Sequence, residues 1–335
     1  MIDWKPPEEK PLTGIKCPCT SIIPGDSRPL STCPRCKGTG ELRGTMYKVK
    51  ILTDEPTVSI IADMSLNWDG VEEMAEWVRS RRPDCMPDVT GNALEDLQAL
   101  FPHQDSVSDN ELLVELAGRK CYDSFGLKAG RKTNKEYIAN TQVGDVPHAS
   151  IMYHAKMTFF IAGVSRRVSH ELIRHYVGAD RTEEGSPSQE STRYVEHSGY
   201  YVAHPGILKD ETELGYFKSA MSRNYSEYRD YIIRREAAFA LINDGVKPKG
   251  MERKRIFESA SPYLSHSCET SFIWTTNPIA LAKMFKERDH DAADLEYLRL
   301  ARKWKRVCLE KWSNLFPQSW MNPSHLKITG TSLSG

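Results

Sequence analysis

Residues 165–194, SRRVSHELIRHYVGADRTEEGSPSQESTRY, decide how this chain is read. Val164, Val168, Leu172 and Tyr176 recur every four residues, which predicts a helix over Val164 to Val177 with one apolar face. Arg166, His170, Arg174 and Arg181 fall on another face of that helix and in the loop beyond it, and Arg193 follows a serine-rich run. A guanidinium is a planar, permanently charged fork that suits phosphate oxygens, while Ser186, Ser188, Ser191 and Thr192 complete an anion shell without adding charge. The pattern favours a small phosphorylated ligand. The plainer alternative is a solvated helix with local pairs, such as Glu171 beside His175 at helical spacing.

Working outward, Ser150 to Gly163 (SIMYHAKMTFFIAG) alternates in part, is rich in aromatic and β-branched residues, and reads as a strand ended by a glycine. Glu111 to Arg119 reads as a helix. Long helices are predicted at 217–243, 278–288 and 291–313, separated by breaks at Pro248-Lys249-Gly250 and Asn277-Pro278. Towards the amino end, residues 46–66 predict two short strands around the Asp54-Glu55-Pro56 turn, and Asp69 to Arg82 an amphipathic helix. Residues 83–109 read as a loop with a helical insert near 92–100, and form the preferred domain boundary. The expected fold class is α+β, a mixed or antiparallel sheet packed by long helices.

Forty-five basic residues balance forty-five acidic ones, so no whole-protein field draws the chain to nucleic acid or anionic lipid, and only a local basic pocket remains open. Neither a signal-peptide core nor an apolar run of about 18 residues occurs, so membrane spanning and secretion are not expected. Of eight cysteines, Cys17, Cys19, Cys33 and Cys36 cluster and the rest are scattered, which suggests one metal site plus buried thiols in a cytoplasmic protein. Four thiolates fill a tetrahedral zinc shell and leave no open position, so the zinc expected there is structural and clamps a small extension. The Cys17-Pro18-Cys19 bite is tighter than that of Cys33-Pro34-Arg35-Cys36, and free thiols or an iron–sulfur or redox role are the alternatives.

No catalytic triad is framed around Ser188 or Ser191 with His175 or His197, and neither a dinucleotide loop nor a phosphate-binding P-loop is present. Cys268 near His266 reads as core or pocket lining more readily than as a nucleophile.

At this point the sequence resembles the flavin-dependent thymidylate synthases. The family carries an Arg-His-Arg triplet and then a serine-rich signature ending in Arg-Tyr; here Arg174-His175-Tyr176 is followed by Ser186-Pro187-Ser188-Gln189-Glu190-Ser191-Thr192-Arg193-Tyr194. Upstream, His154-Ala155-Lys156-Met157-Thr158-Phe159 is similar to the family's strand, and Ser165 to Ile173 to the helix that follows it. Downstream, Glu269 to Asn277 resembles a strand and turn before the next helix. The likeness covers roughly residues 110–315, within a catalytic domain at 110–320 that follows a cysteine-rich segment at 1–45 and a mixed extension and linker at 46–109; residues 321–335 form a tail.

The resemblance implies a homotetramer with active sites between chains. It implies bound FAD, with NADPH and methylenetetrahydrofolate as co-substrates, and methylation of dUMP at carbon 5 of the ring. His154, Arg174 and His175 match flavin-binding residues. Ser191 and Arg193 match residues that hold the nucleotide phosphate; Gln189 and Glu171 join this substrate-binding set, with Glu171 standing where the family has glutamine. Arg288 matches an arginine that contacts the pyrimidine and, with Ser186 and Glu190, is expected to carry the chemistry. Arg255 matches a further substrate-binding arginine if the loop after it is longer than in the family.

The chain also departs from the pattern. Tyr176 replaces the second arginine of the triplet, and Arg181, in the insertion from Val177 to Gly185, either restores that charge or faces solvent. Glu171 should repel a phosphate unless it is reoriented, protonated or paired. These departures leave two other readings: hydroxymethylation of a pyrimidine deoxynucleotide, or a non-catalytic zinc-containing protein that binds nucleic acid or protein. The second has only a modest basic set at the amino end to support it.

Overall fold

The computed structural model describes residues 46–84, 86, 88–98, 107–122, 124–125, 132–142, 148–178 and 185–316, without the side chains of 97, 98, 149, 174–178, 185 and 186. Cys17, Cys19, Cys33 and Cys36, Arg181 and the tail at 321–335 lie outside the described residues. In chain order the elements are β1 (Lys50–Leu52), β2 (Thr57–Asp63), α1 (Trp68–Arg81), α2 (Ala93–Gln98), α3 (Asp109–Tyr122), α4 (Asn134–Thr141), a 3-10 turn at Ala149–His154, and β3 (Met157–Ser165). There follow α5 (Arg166–Gly178), β4 (Gly185–Gln189), β5 (Tyr200–Val202), α6 (Glu211–Ile242), α7 (Gly250–Ala260), β6 (Glu269–Thr276), α8 (Pro278–Arg288) and α9 (Leu295–Lys311).

The elements start where side chains can satisfy the free amides of a first helical turn. Asp210 accepts hydrogen bonds from the amides of Thr212 and Glu213, so α6 begins ahead of the expected residue 217. Asn277 accepts from the Ala280 amide with Pro278 at the first helical position, which fixes the start of α8 where the sequence put it. Asp294 accepts from the amides of Glu296 and Tyr297, so α9 starts at Leu295 and not at 291. The strand expected over 150–163 begins only at Met157. Regular in–out alternation starts there, with Met157, Phe159 and Ile161 buried, whereas Ile151 and Met152 are neighbours and both buried, as a 3-10 turn permits and a strand does not. Helices α4 and α7 were not read in the sequence.

The described residues divide into two compact units that interleave in sequence: those within 46–54, 163–169 and 189–270 form the first, and those within 55–162, 170–188 and 271–316 the second. In the first unit β1 pairs in parallel with β5, Lys50 opposite Tyr200. Tyr201 forms an antiparallel bridge with Cys268. Tyr201, Tyr225, Tyr228, Ile232, Ile256, Phe257 and Cys268 build its core with Val49. Each large side chain buried in this way is worth roughly 1.5–3 kcal/mol. Gly199, just before β5, has φ +83°, and a Cβ there would lie 2.9 Å from a ring carbon of Tyr225.

A four-stranded sheet runs in the order β2-β3-β6-β4. β2 is antiparallel to β3, from Thr57 opposite Ala162 to Asp63 opposite Met157, with a register shift between Ile60 and Ala62. In the second unit Phe159 meets the rings of Trp304 and Trp312 edge-on, 5.0 and 6.0 Å between centroids, and so fastens β3 to the carboxy-terminal helix. Val71, Ala75 and Val78 of α1 pack with Ala93, Leu112, Leu116 and Phe125. Within α3 the buried Arg119 and Glu115 pair one turn apart, with the guanidinium 4.6 Å from the centre of the Tyr137 ring. The observed class is the α+β arrangement expected, with both parallel and antiparallel pairing. Among the described residues no helix is long and apolar enough to cross a membrane, and no cluster of three or more His, Cys, Asp and Glu could hold a metal ion.

Candidate active site

Within the first unit the part of the serine-rich signature from Gln189 onward is fastened by polar contacts. The start of α5 is anchored by its backbone: the Arg166 amide donates to the Cys268 carbonyl at 2.9 Å and the Arg167 amide to that of His266 at 3.0 Å. Arg166 Nη2 then donates to the Glu190 carbonyl at 2.7 Å. One residue earlier, the Gln189 amide nitrogen donates to Ser169 Oγ at 2.9 Å and to Thr270 Oγ1 at 3.0 Å. Ser169 and Thr270 are buried, so a lost partner there costs more than on the surface. Ser169 in turn donates to the Arg166 carbonyl at 2.9 Å, closing a chain of hydrogen bonds through α5, the end of β4 and the start of β6.

Beyond Glu190 the chain turns. The Ser191 carbonyl accepts from the amides of Tyr194 and Val195 at 3.1 and 2.9 Å, and Ser191 Oγ accepts from the Arg193 amide at 3.3 Å. This turn leaves Arg193 exposed, its guanidinium 5.8 Å from the Tyr194 ring centre and Nη1 3.8 Å from Glu258 Oε1. Lys254 Nζ lies 2.9 Å from the same carboxylate. The Lys254 hydrogen bond, with the charges of Arg193 and Arg255 adding to it, holds the Glu258 carboxyl below its ordinary value. Arg255 itself is exposed on α7.

The titratable groups behind the turn are tuned by burial. Burial raises the Glu269 carboxyl, although it accepts a 3.0 Å bond from the Gly163 amide. His197 is pushed down to about 4 by burial and the nearby Arg166 charge, and its Nδ1 accepts from the Gly199 amide at 3.1 Å. Burial pushes the Cys268 thiol up to about 12, which removes it as a nucleophile at neutral pH and agrees with the core reading.

In the second unit Arg288, in the last turn of α8, pairs with Glu171 of α5, Nη1 to Oε2 3.2 Å. Its guanidinium carbon lies 4.8 Å from the centre of the buried Tyr297 ring. Glu171 is therefore a paired carboxylate in this structure. His154 is exposed at the end of its 3-10 turn. Arg174 and His175 lie on the later turns of α5, with side chains outside those described, and of Ser186 only the backbone, in β4, is described. Glu190 is exposed, and its carbonyl accepts the bond from Arg166.

Gln189, Glu190, Ser191 and Arg193 thus come together in one unit, and Glu171 and Arg288 in the other. Sequence reasoning did not single out Ser169, Thr270, Lys254 and Glu258. Lys254 and Glu258 carried a signal, the four-residue spacing of a helical ion pair; Thr270 carried none.

Residues 104–313 match the family described as Thymidylate synthase complementing protein. The chain is 34% identical over 219 residues to the flavin-dependent thymidylate synthase of Mycolicibacterium vanbaalenii, covering 65% of this chain and 81% of that protein. It is 35% identical over 208 residues to that of Mycolicibacterium gilvum, covering 62% and 76%. A solved structure of thymidylate synthase X from Helicobacter pylori with FAD and dUMP is a distant likeness: 20% identity, 63% of this chain and 94% of that one, TM-score 0.41.

Proposed function

The chain belongs to the thymidylate synthase complementing protein family and is a methyltransferase-like enzyme, and on that premise we propose that it methylates dUMP to dTMP, using methylenetetrahydrofolate and NADPH with FAD as cofactor. The observation that carries this reading is the fastening of the signature: Gln189 tied to Ser169 and Thr270, the Glu190 carbonyl held by Arg166, and Arg193 left exposed on the turn that follows. An exposed fork on a fixed turn suits a phosphate.

In this reading Arg193 and Ser191 bind the nucleotide phosphate, and Arg255 adds positive charge nearby. Gln189 and Arg166 keep the turn in one geometry, so that less ordering remains when the nucleotide arrives. Arg288, its charge balanced by Glu171, orients the pyrimidine. Ser186 and Glu190, in the same signature as Ser191 and Arg193, carry the chemistry with Arg288 in this reading. The donors at His154, Arg174 and His175, with Arg181 beyond them, are imidazoles and guanidiniums, a chemistry that fits a dinucleotide's pyrophosphate, and these residues would hold FAD. FAD, when bound, would supply the redox chemistry between NADPH and the one-carbon unit.

A homotetramer with active sites between chains and a cytoplasmic location complete the proposal, in keeping with the family resemblance. The amino-terminal cysteine segment is proposed to bind one structural zinc through Cys17, Cys19, Cys33 and Cys36, which metal analysis of the purified protein tests. The decisive experiment incubates the protein with dUMP, methylenetetrahydrofolate, FAD and NADPH and weighs the product. The mass of dTMP is expected. A hydroxymethylated product, or a protein that takes up no FAD, overturns the reading.

A further inference from the structure

Arg288 is held on two sides by different physics. Glu171 supplies a carboxylate 3.2 Å from Nη1, and Tyr297 an aromatic ring 4.8 Å from the guanidinium carbon. The two contacts do different things. An ion pair between partly exposed groups sets a distance and tolerates rotation, whereas a ring beneath a planar guanidinium favours one plane.

The ring is itself immobilised. Tyr297 is fully buried in the first turn of α9, and its backbone amide donates to the capping carboxylate of Asp294 at 3.1 Å. Arginine carries several free torsions, and a fork that must meet a flat pyrimidine edge works best when those torsions are settled before the ligand arrives.

We propose that Tyr297 is a positioning residue: its ring fixes the plane of the Arg288 guanidinium against the substrate's pyrimidine. The proposal rests on the reading of Arg288 as the pyrimidine-orienting arginine. It assigns the work to the ring face and none to the hydroxyl.

The test uses the FAD-loaded full chain and compares kcat/KM for dUMP. Tyr297→Phe keeps the ring and is expected to stay within about twofold of the parent. Tyr297→Leu keeps apolar bulk but removes the ring face, and is expected to lose about threefold to thirtyfold. The same Leu substitution in an Arg288→Ala background should cost nothing further, because the arginine it serves is gone. An equal loss in both backgrounds assigns Tyr297 to the core alone and overturns the proposal, as does a Phe variant as impaired as Leu. Should the Leu variant not fold, Tyr297→Met takes its place with the same expectations. If Arg288→Ala leaves kcat/KM unchanged, the reading of Arg288 fails, an outcome distinct from the failure of Tyr297 alone.

Discussion

Glu258 and Arg193 meet across 3.8 Å, and Lys254 reaches the same carboxylate oxygen at 2.9 Å. The arginine proposed to bind the nucleotide phosphate is therefore already facing an anion that belongs to the protein. An incoming phosphate must compete with it or share its cations.

Glu258→Gln should accordingly tighten dUMP binding by about threefold, the size of one partly screened charge on a solvated surface. Calorimetric titration of dUMP measures it, with deoxyuridine, which lacks the phosphate, expected to bind as before. Weaker dUMP binding would show that Glu258 organises the cations and does not compete for them.

Gln189 spans two buried hydroxyls, and Gln189→Leu removes the donor that both accept from. The expected cost is about 1–3 kcal/mol of stability, together with a higher KM for dUMP, since the turn at Ser191 loses one of its two tethers, with Arg166 keeping the other. Urea unfolding and steady-state kinetics read the two effects separately. A stability loss with an unchanged KM would detach this network from the nucleotide site.

His197 gives the fold an acid-side weakness. Its imidazole is pushed down to about 4 from an ordinary 6.5, by burial first and the Arg166 charge second. As pH falls the unfolded chain takes up this proton before the folded one, so the stabilisation is complete above 6.5 and drains away between 6.5 and 4. The loss amounts to about 3 kcal/mol. His197→Gln should flatten that part of the stability–pH curve relative to the parent, and curves that run parallel would remove His197 as its source.

Gly199→Ala should destabilise the first unit by more than about 1 kcal/mol. The new Cβ would need a backbone φ of +83° and would press to 2.9 Å of the Tyr225 ring. Chemical denaturation checks this, and a neutral substitution would mean that the β5 approach relaxes freely.

Much of the architecture could be read from local pattern. The Asp54-Glu55-Pro56 turn does separate two strands, α1 lies within a residue of its expected bounds, and Asn277-Pro278 does start α8. Such features depend on residues within one or two turns of each other, and spacing records them. The 3-10 turn at Ala149–His154 escaped because a short apolar run looks alike in a strand and in a turn. Helix α7 escaped between a proline–glycine break and a serine-rich loop, with only eleven residues to show a period.

By itself the sequence determined the α+β class, the principal helices, and the arginine and serine signature that led to the family. Tertiary structure alone decided the partners: Glu171 with Arg288, Arg166 with the Glu190 carbonyl, and Gln189 with Thr270, which lies 81 residues away. The division has a physical cause. Helical spacing and capping are settled by neighbours in the chain, whereas a charge or amide in a fold meets whatever the topology delivers, and no local period encodes that.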